Sequence, residues 1–317
     1  MDIDILLSLQ EFRNGLGGCL TDFLTKMSFI GEMNTVLIIT AVIYWCVSKQ
    51  FGAYLLMGWS GNRVVNGLLK VTACVYRPWI RDARIIPDAD ALAAATGYSF
   101  PSGHSMNGAS LFGGVAIRRE LPRALRIISG VIVFLIAFSR NFLGVHTPQD
   151  IFVGTAAGLL VMWLTAKLLK WVEAHPKKDV LVMTAGVVIA AAVAVFAAVK
   201  PYPVDYDAEG KLLVDGAKMA NDTFKGVGWC AGFLVGWVLE RRFAGFSTDV
   251  PIITRVSRLI FGLLGYYAVS LILLPLIKSA IPGAGGAIAT CFLQMFYVSF
   301  LVPWCISRFE KRVPLPA

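Results

Sequence analysis

His146 and Asp150 stand four residues apart, with Arg140 upstream, in the stretch Ser139-Arg140-Asn141-Phe142-Leu143-Gly144-Val145-His146-Thr147-Pro148-Gln149-Asp150. An imidazole can attack phosphorus through one ring nitrogen while a carboxylate accepts the N–H of the other, which fixes the tautomer and stabilises developing positive charge. A guanidinium nearby offers a planar fork of donors to phosphoryl oxygens. Taken alone, the end of this stretch also reads as an ordinary helix start. Thr147 suits an N-cap, Pro148 the first helical position, and Asp150 the carboxylate three residues after the cap.

Two blocks upstream change the balance. Lys70 and Arg77-Pro78 are spaced as Lys-x6-Arg-Pro, and Pro101-Ser102-Gly103-His104 opens an apolar run. Lys70, Arg77 and Arg140 supply three cations for a phosphate. The backbone around Ser102 and Gly103, at the start of a helix, is suited to an anion, because the first N–H groups of a helix are unpaired and glycine lets a ligand approach. His104 is placed to act as general acid toward a leaving oxygen. The chain has only three histidines, and two fall in these blocks. His175, beside Pro176 and Lys177, reads as a solvated loop residue.

In order and spacing, Lys70-x6-Arg77-Pro78, Pro101-Ser102-Gly103-His104 and Ser139-Arg140-x5-His146-x3-Asp150 resemble the three signature blocks of the type-2 phosphatidic acid phosphatase superfamily. That superfamily takes in lipid phosphate phosphatases, glucose-6-phosphatase and the vanadium haloperoxidases. The resemblance covers about residues 60 to 170 and leaves the last 140 or so without a nameable signature. It implies a metal-independent, cofactor-free phosphatase in which His146 attacks the phosphoryl group, Asp150 orients it, and His104 protonates the leaving alcohol. A phosphohistidine forms and is then hydrolysed. Lys70, Arg77, Ser102, Gly103 and Arg140 would hold the phosphate.

The composition says where such a site must be built. Of 317 residues, 57% are apolar and 15% charged, where a soluble domain carries about 25% charged residues. Mean hydropathy is +0.69. Several runs approach the roughly 20 apolar residues a bilayer crossing needs, Val180 to Val199 without a single charge. The expectation is an all-α, polytopic transmembrane helical bundle of about nine spans. The net charge of +9 is spread over loops rather than along one face, which argues against nucleic acid and for membrane topology. The six cysteines lie mostly in apolar runs without paired spacing, as buried hydrophobes rather than disulfides or metal ligands.

Three regions are expected. Residues 1–30 alternate apolar and polar positions at helical spacing, broken at Gly15-Gly17-Gly18, and read as short helices lying in the interface. Residues 31–170 form the core carrying the three blocks, and 171–317 add further transmembrane helices. The spans are expected at about 28–48, 51–76, from 102 to before Arg118, 125–138, 148–170, 180–199, 226–239, 259–277 and 285–306. Arg63, Lys70 and Arg77 recur every seven residues and share nearly one helix face. Pro275 and Pro303 should kink their helices, and Gly228, Gly232 and Gly236 favour close helix contact.

With nine spans, the Arg118/Arg119/Arg123/Arg126, Lys167/Lys170/Lys177/Lys178 and Arg241/Arg242/Arg255/Arg258 groups fall on one side, with Arg308, Lys311 and Arg312. By the positive-inside rule that side is cytoplasmic, so the three blocks face the extracytoplasmic or lumenal side. The reading is an integral-membrane phosphatase of a bacterial cytoplasmic or ER-type membrane, acting on a lipid phosphate or pyrophosphate. Its partners are the bilayer and a membrane lipid substrate, with no nucleic acid; oligomeric state is left open. A soluble-sugar phosphatase like glucose-6-phosphatase and a lipid-linked phosphotransferase are the alternatives.

Overall fold

The computed structural model describes residues 2–16 and 18–310. Gly17 of the expected break, and Lys311 and Arg312 of the charge count, lie outside the described residues. Sixteen α-helices follow in order: α1 (Asp2–Gly15), α2 (Gly18–Ile30), α3 (Met33–Val42), α4 (Lys49–Ala73), α5 (Pro78–Arg81), α6 (Ala89–Ala94), α7 (Gly103–Gly108) and α8 (Gly114–Ala116). They continue with α9 (Arg123–Phe142), α10 (Pro148–Ala174), α11 (Asp179–Val199), α12 (Gly216–Leu239), α13 (Ile252–Ala268), α14 (Leu274–Ala280), α15 (Gly283–Phe296) and α16 (Val302–Glu310). Among the described residues no strand forms; one isolated antiparallel bridge joins Tyr206 to Leu212.

Among the described residues, five helical stretches are long and apolar enough to cross a membrane, and six if the bent pair α2 with Met33–Val47 is one span. The five are Arg123–Phe142, Pro148–Ala174, Pro176–Val199, Ile252–Ala280 and Gly283–Glu310. They coincide with the expected fourth, fifth, sixth, eighth and ninth spans, and the bent pair with the first. The expected second, third and seventh fall outside this set for visible reasons. Helix α4 carries Lys49, Asn62, Arg63, Asn66 and Lys70; the run Gly103–Ala116 is too short; α12 includes Lys218, Asp222 and Lys225. Helix α12 also begins ten residues before the expected span, because the Asp215 carboxylate caps the amides of Ala217 and Lys218 at 2.8 and 3.2 Å.

Two compact units divide the chain. The first holds residues up to Val36, Val65–Leu164 and Val199–Ala220. Within it α9 is the central strut. Its buried face (Ser129, Val133, Ile136, Arg140) recurs at helical spacing, while Ile127, Ile128, Val131 and Phe134 face outward. Helix α2 lies along α9, and Gly31 just after it leaves room for Ile136, whose methyl would sit 2.7 Å from a Cβ there. On α10, Gly154 and Gly158 open a flat face toward α7: a Cβ at Gly154 would meet the Ser102 carbonyl at 2.8 Å, and one at Gly158 the Ala109 methyl at 2.6 Å. This close approach brings the first turn of α10 against the Pro101-Ser102 turn.

The second unit comprises Leu37–Val64, Thr165–Ala198 and Asn221 onward. Here Gly228, Gly232 and Gly236 press α12 against Ile288, Phe292 and Ser299, the close contact their spacing predicts. A π-helical turn precedes each of the two prolines, Val269–Leu273 before Pro275 and Tyr297–Leu301 before Pro303. Widening the turn relieves the carbonyl that the proline ring would otherwise strike and cannot bond. Buried charges are paired: Arg258 grips Glu310 through two bonds of 2.7 and 2.6 Å, and Lys49 holds Glu240 at 2.6 Å. Arg63 lies 5.7 Å over the Trp229 ring.

Candidate active site

The site is assembled entirely within the first unit, from the ends of α4, α7, α9 and α10 and the loop from Val75 to Pro101. The turn Leu143–Thr147 links α9 to α10. Its apolar side chains Leu143 and Val145 sink into a small cluster with Phe142, Leu24, Ala91 and Ala95. Burial of those residues forces the polar ones between them the other way. Asn141 then holds the turn by donating from Nδ2 to the His146 carbonyl at 2.8 Å.

His146 is buried, at 2% exposure, and both ring nitrogens have partners. Nε2 faces Nη1 of Arg77 at 2.9 Å. A guanidinium can only donate, so Nε2 is the acceptor and the proton sits on Nδ1. Nδ1 faces Asp150 Oδ2 at 3.3 Å and the Ser99 hydroxyl at 3.4 Å. The carboxylate is held in turn: Oδ2 accepts from the Thr147 amide at 2.8 Å and from the Ser99 hydroxyl at 2.5 Å. Thr147 and Asp150 therefore keep the helix-start geometry of the bland reading, and the same carboxylate oxygen serves the imidazole as well.

Arg77 is 4% exposed and wedged among carbonyls: Nε bonds Gly97 at 3.0 Å, Nη1 bonds Val145 at 2.8 Å, and Nη2 bonds Thr96 at 3.3 Å. Lys70, seven residues earlier, donates to the carbonyls of Tyr98 and Ser99 at 2.7 and 3.3 Å. Arg140 is 2% exposed and anchored by one bond, from Nη1 to the Ser28 hydroxyl. Its Nε and Nη2 are buried without a partner, and so is Nε2 of His104. His104 follows two residues after Ser102, whose amide bonds the Asp150 carbonyl at 3.0 Å and joins the second block to the third. All three blocks thus converge around two imidazoles and three cations.

Ser102 does less for an anion than its position suggested. Its hydroxyl caps α7 by accepting from the Ser105 amide at 3.3 Å and the Ser105 hydroxyl at 2.9 Å, and its own amide is spent on the Asp150 carbonyl at 3.0 Å. What the turn can still offer is the amides of Gly103 and His104, which have no carbonyl one turn back. Four contributors carry no motif signal: Ser28, Asn141, Ser99 and the carbonyl run 96–99. Arg13 of α1 is a fifth, donating to the carbonyls of Phe142 at 3.2 Å and Ile86 at 2.6 Å beneath the His146 turn.

At the rim, Tyr76 hydrogen-bonds the Asp205 carboxylate, and its ring lies 5.9 Å from that of Tyr98 at a tilt of 54°. Its phenol is pushed up to about 12 by burial and by that carboxylate, so it remains a donor. Lys200 donates to Cys74 Sγ at 3.2 Å, tying the same loop to the end of α4. Among the described residues, no three His, Cys, Asp or Glu side chains gather as metal ligands. Chemically, the arrangement offers a neutral imidazole with a lone pair on Nε2, a second imidazole, and buried donors left without protein partners. Such donors suit an oxyanion with several negative oxygens.

Comparison with known proteins agrees. Residues 51–174 match the PAP2 superfamily, and residues 224–312 match the PAP2 superfamily phosphatase transmembrane extension. The chain is 32% identical over 157 residues to phosphatidylglycerophosphatase B of Bacillus subtilis (strain 168), covering 46% of this chain and 73% of that protein. It is 30% identical over 73 residues to an undecaprenyl-diphosphatase of Sulfolobus acidocaldarius, covering 23% of this chain and 34% of that one. The crystal structure of a transmembrane PAP2-type phosphatidylglycerolphosphate phosphatase from Bacillus subtilis aligns with a TM-score of 0.45 at 27% identity, over 54% of this chain and 85% of that chain. The motif blocks, the matched segments and the apolar helices agree on one assignment: this chain belongs to the PAP2 superfamily, as an integral-membrane phosphatase.

Proposed function

We propose that this protein hydrolyses the terminal phosphate of a lipid phosphate or pyrophosphate through a phosphohistidine intermediate, with its site on the extracytoplasmic side. One observation carries the reading. The unpartnered donors of Arg140 and the unpartnered Nε2 of His104 are buried beside a neutral His146. Leaving buried donors unbonded is costly, and a phosphoryl group would satisfy them together.

In the first step His146 Nε2 attacks phosphorus while the bond from phosphorus to the leaving oxygen breaks. Arg77 moves from Nε2 to a non-bridging oxygen, releasing the lone pair. Lys70 and Arg140 take the remaining negative charge, and Asp150 stabilises the imidazolium through Nδ1–H. His104, charged beside the phosphate dianion, gives its proton to the departing alkoxide or phosphate. In the second step His104 accepts a proton from water as the water oxygen attacks phosphorus. The P–N bond breaks and inorganic phosphate leaves.

A lipid substrate is favoured because the relatives bear names of enzymes acting on phosphatidylglycerophosphate and undecaprenyl diphosphate. A headgroup held at the bilayer surface also reaches a site at helix ends without leaving the membrane. The orientation rests on the charge count: Lys167 and Lys170 lie at the far end of α10 from Asp150, followed by Lys177 and Lys178. In this reading α4, the run Gly103–Ala116 and α12 complete nine crossings and leave the C-terminus cytoplasmic.

The test is phosphate release by purified protein against detergent-dispersed phosphatidic acid, phosphatidylglycerophosphate and isoprenyl pyrophosphate, with glucose 6-phosphate and an added alcohol acceptor as separate arms. Turnover of the lipids with acid-labile label trapped on His146 supports the reading. Turnover of glucose 6-phosphate alone, or transfer to the alcohol in place of water, would replace it with one of the two alternatives.

A further inference from the structure

Outside the three blocks lies the tetrapeptide Thr96-Gly97-Tyr98-Ser99, and its geometry points to a role the motifs do not contain. We infer that Ser99 is a positioning residue for the His146–Asp150 pair: its hydroxyl fixes the carboxylate and thereby tunes the basicity of the imidazole. The inference rests on the phosphatase reading above.

Ser99 is fully buried, so its hydroxyl must find protein partners. It donates to Asp150 Oδ2 at 2.5 Å and lies 3.4 Å from His146 Nδ1. The hydroxyl has one proton, and the short bond claims it for the carboxylate. Its contact with Nδ1 is then as an acceptor, sharing the imidazole N–H with Asp150. The main chain of the same residue is pinned at both ends. Its amide donates to the Val75 carbonyl at 2.7 Å, and its carbonyl accepts from Lys70 at 3.3 Å. Two residues earlier the chain turns through Gly97 at φ +75°, a left-handed conformation that glycine adopts freely. A side chain there would also strike the Met219 thioether. The hydroxyl is therefore delivered by a backbone with little freedom to shift.

Ser99 acts on the imidazole in two opposing ways, and the 2.5 Å bond to Asp150 outweighs the 3.4 Å contact with Nδ1–H, which sets the sign. A donor on Asp150 withdraws negative charge from the carboxylate, so less of that charge is felt by Nδ1–H. The other groups acting on His146 are Asp150, Arg77 and Lys70, and His104 with Arg140 lies across the same space. Removing the Ser99 hydroxyl leaves those in place and strengthens the pull of Asp150 on the imidazole proton. His146 then holds a second proton more tightly and is lost as a nucleophile at higher pH than in the parent enzyme.

The experiment compares Ser99→Ala, Ser99→Thr and His146→Ala in purified full-length protein acting on detergent-dispersed phosphatidic acid across pH. Ser99→Ala is expected to lower kcat about tenfold with KM within twofold, and to move the acid limb of the kcat/KM profile upward by about half a pH unit or more. Ser99→Thr, which keeps the hydroxyl, should restore both. An Ala variant with parent kcat and an unmoved acid limb overturns the inference, as does a Thr variant no better than Ala. If Ser99→Ala does not fold, Ser99→Cys carries the same expectation through a weaker donor. His146→Ala separates the two claims: it must be inactive for the phosphatase reading to stand, whatever Ser99 does.

Discussion

The Ser28 hydroxyl on α2 accepts a hydrogen bond from Nη1 of Arg140 on α9, and that bond is the guanidinium's one protein anchor among the described residues. The rest of the fork is thereby aimed rather than satisfied. Ser28→Ala should free Arg140 to rotate and weaken phosphate capture about tenfold, since a bond to a charged group contributes about 1.5–3 kcal/mol. The measurement is the Ki of inorganic phosphate against the purified enzyme. An unchanged Ki would detach Ser28 from the site.

Arg77 tests shape against charge. Its three nitrogens meet carbonyls of Gly97, Val145 and Thr96 as well as the His146 ring. An ammonium cannot reproduce that fork, so Arg77→Lys should cut kcat/KM by about a hundredfold or more although the charge survives. A loss below fivefold would show that charge alone suffices.

His146 sits in the turn between two spans, where burial, and then Arg77, push its imidazole well below the ordinary histidine value. A lowered value means the neutral, nucleophilic form persists as pH falls. Activity is therefore retained below about pH 6.5 and lost only as pH approaches the depressed value. A kcat/KM profile whose acid limb, free of substrate ionisation, lies above about 6.5 would contradict this.

Gly144 turns the chain at φ +74°, and a Cβ there would meet Pro87 Cα at 3.3 Å. Gly144→Ala should destabilise the protein by about 1–2 kcal/mol through the left-handed conformation alone. It should also reduce activity, because His146 follows two residues later. Thermal unfolding in detergent, read beside turnover, checks both.

The parts of this site written in side-chain chemistry were readable from the sequence, and the parts written in the main chain were not. Lys70, Arg77, His104, Arg140, His146 and Asp150 announce themselves through type and spacing. Ser99 does not: an isolated serine two residues before Pro101 has no feature separating it from a turn residue. Thr96, Gly97 and Tyr98 contribute carbonyls, which every residue owns. Ser28 and Arg13 come from helices that hydrophobic periodicity places at a membrane surface, and only packing along α9 brings them near. The same limit explains the span count. Five stretches among the described residues are long and apolar enough to cross a membrane, and α4 is not one of them, because it carries polar residues such as Asn66 and Lys70, which turn to the Pro101 carbonyl and to Tyr98.

Main-chain oxygens from 96 to 99 grip both cations of the first block, so the contacts of the clamp are made by no side chain of that segment. Thr96, exposed at the start of the segment, can therefore be exchanged without loosening that grip, while Gly97, Tyr98 and Ser99 stay fixed by the turn, by burial and by the Asp150 carboxylate.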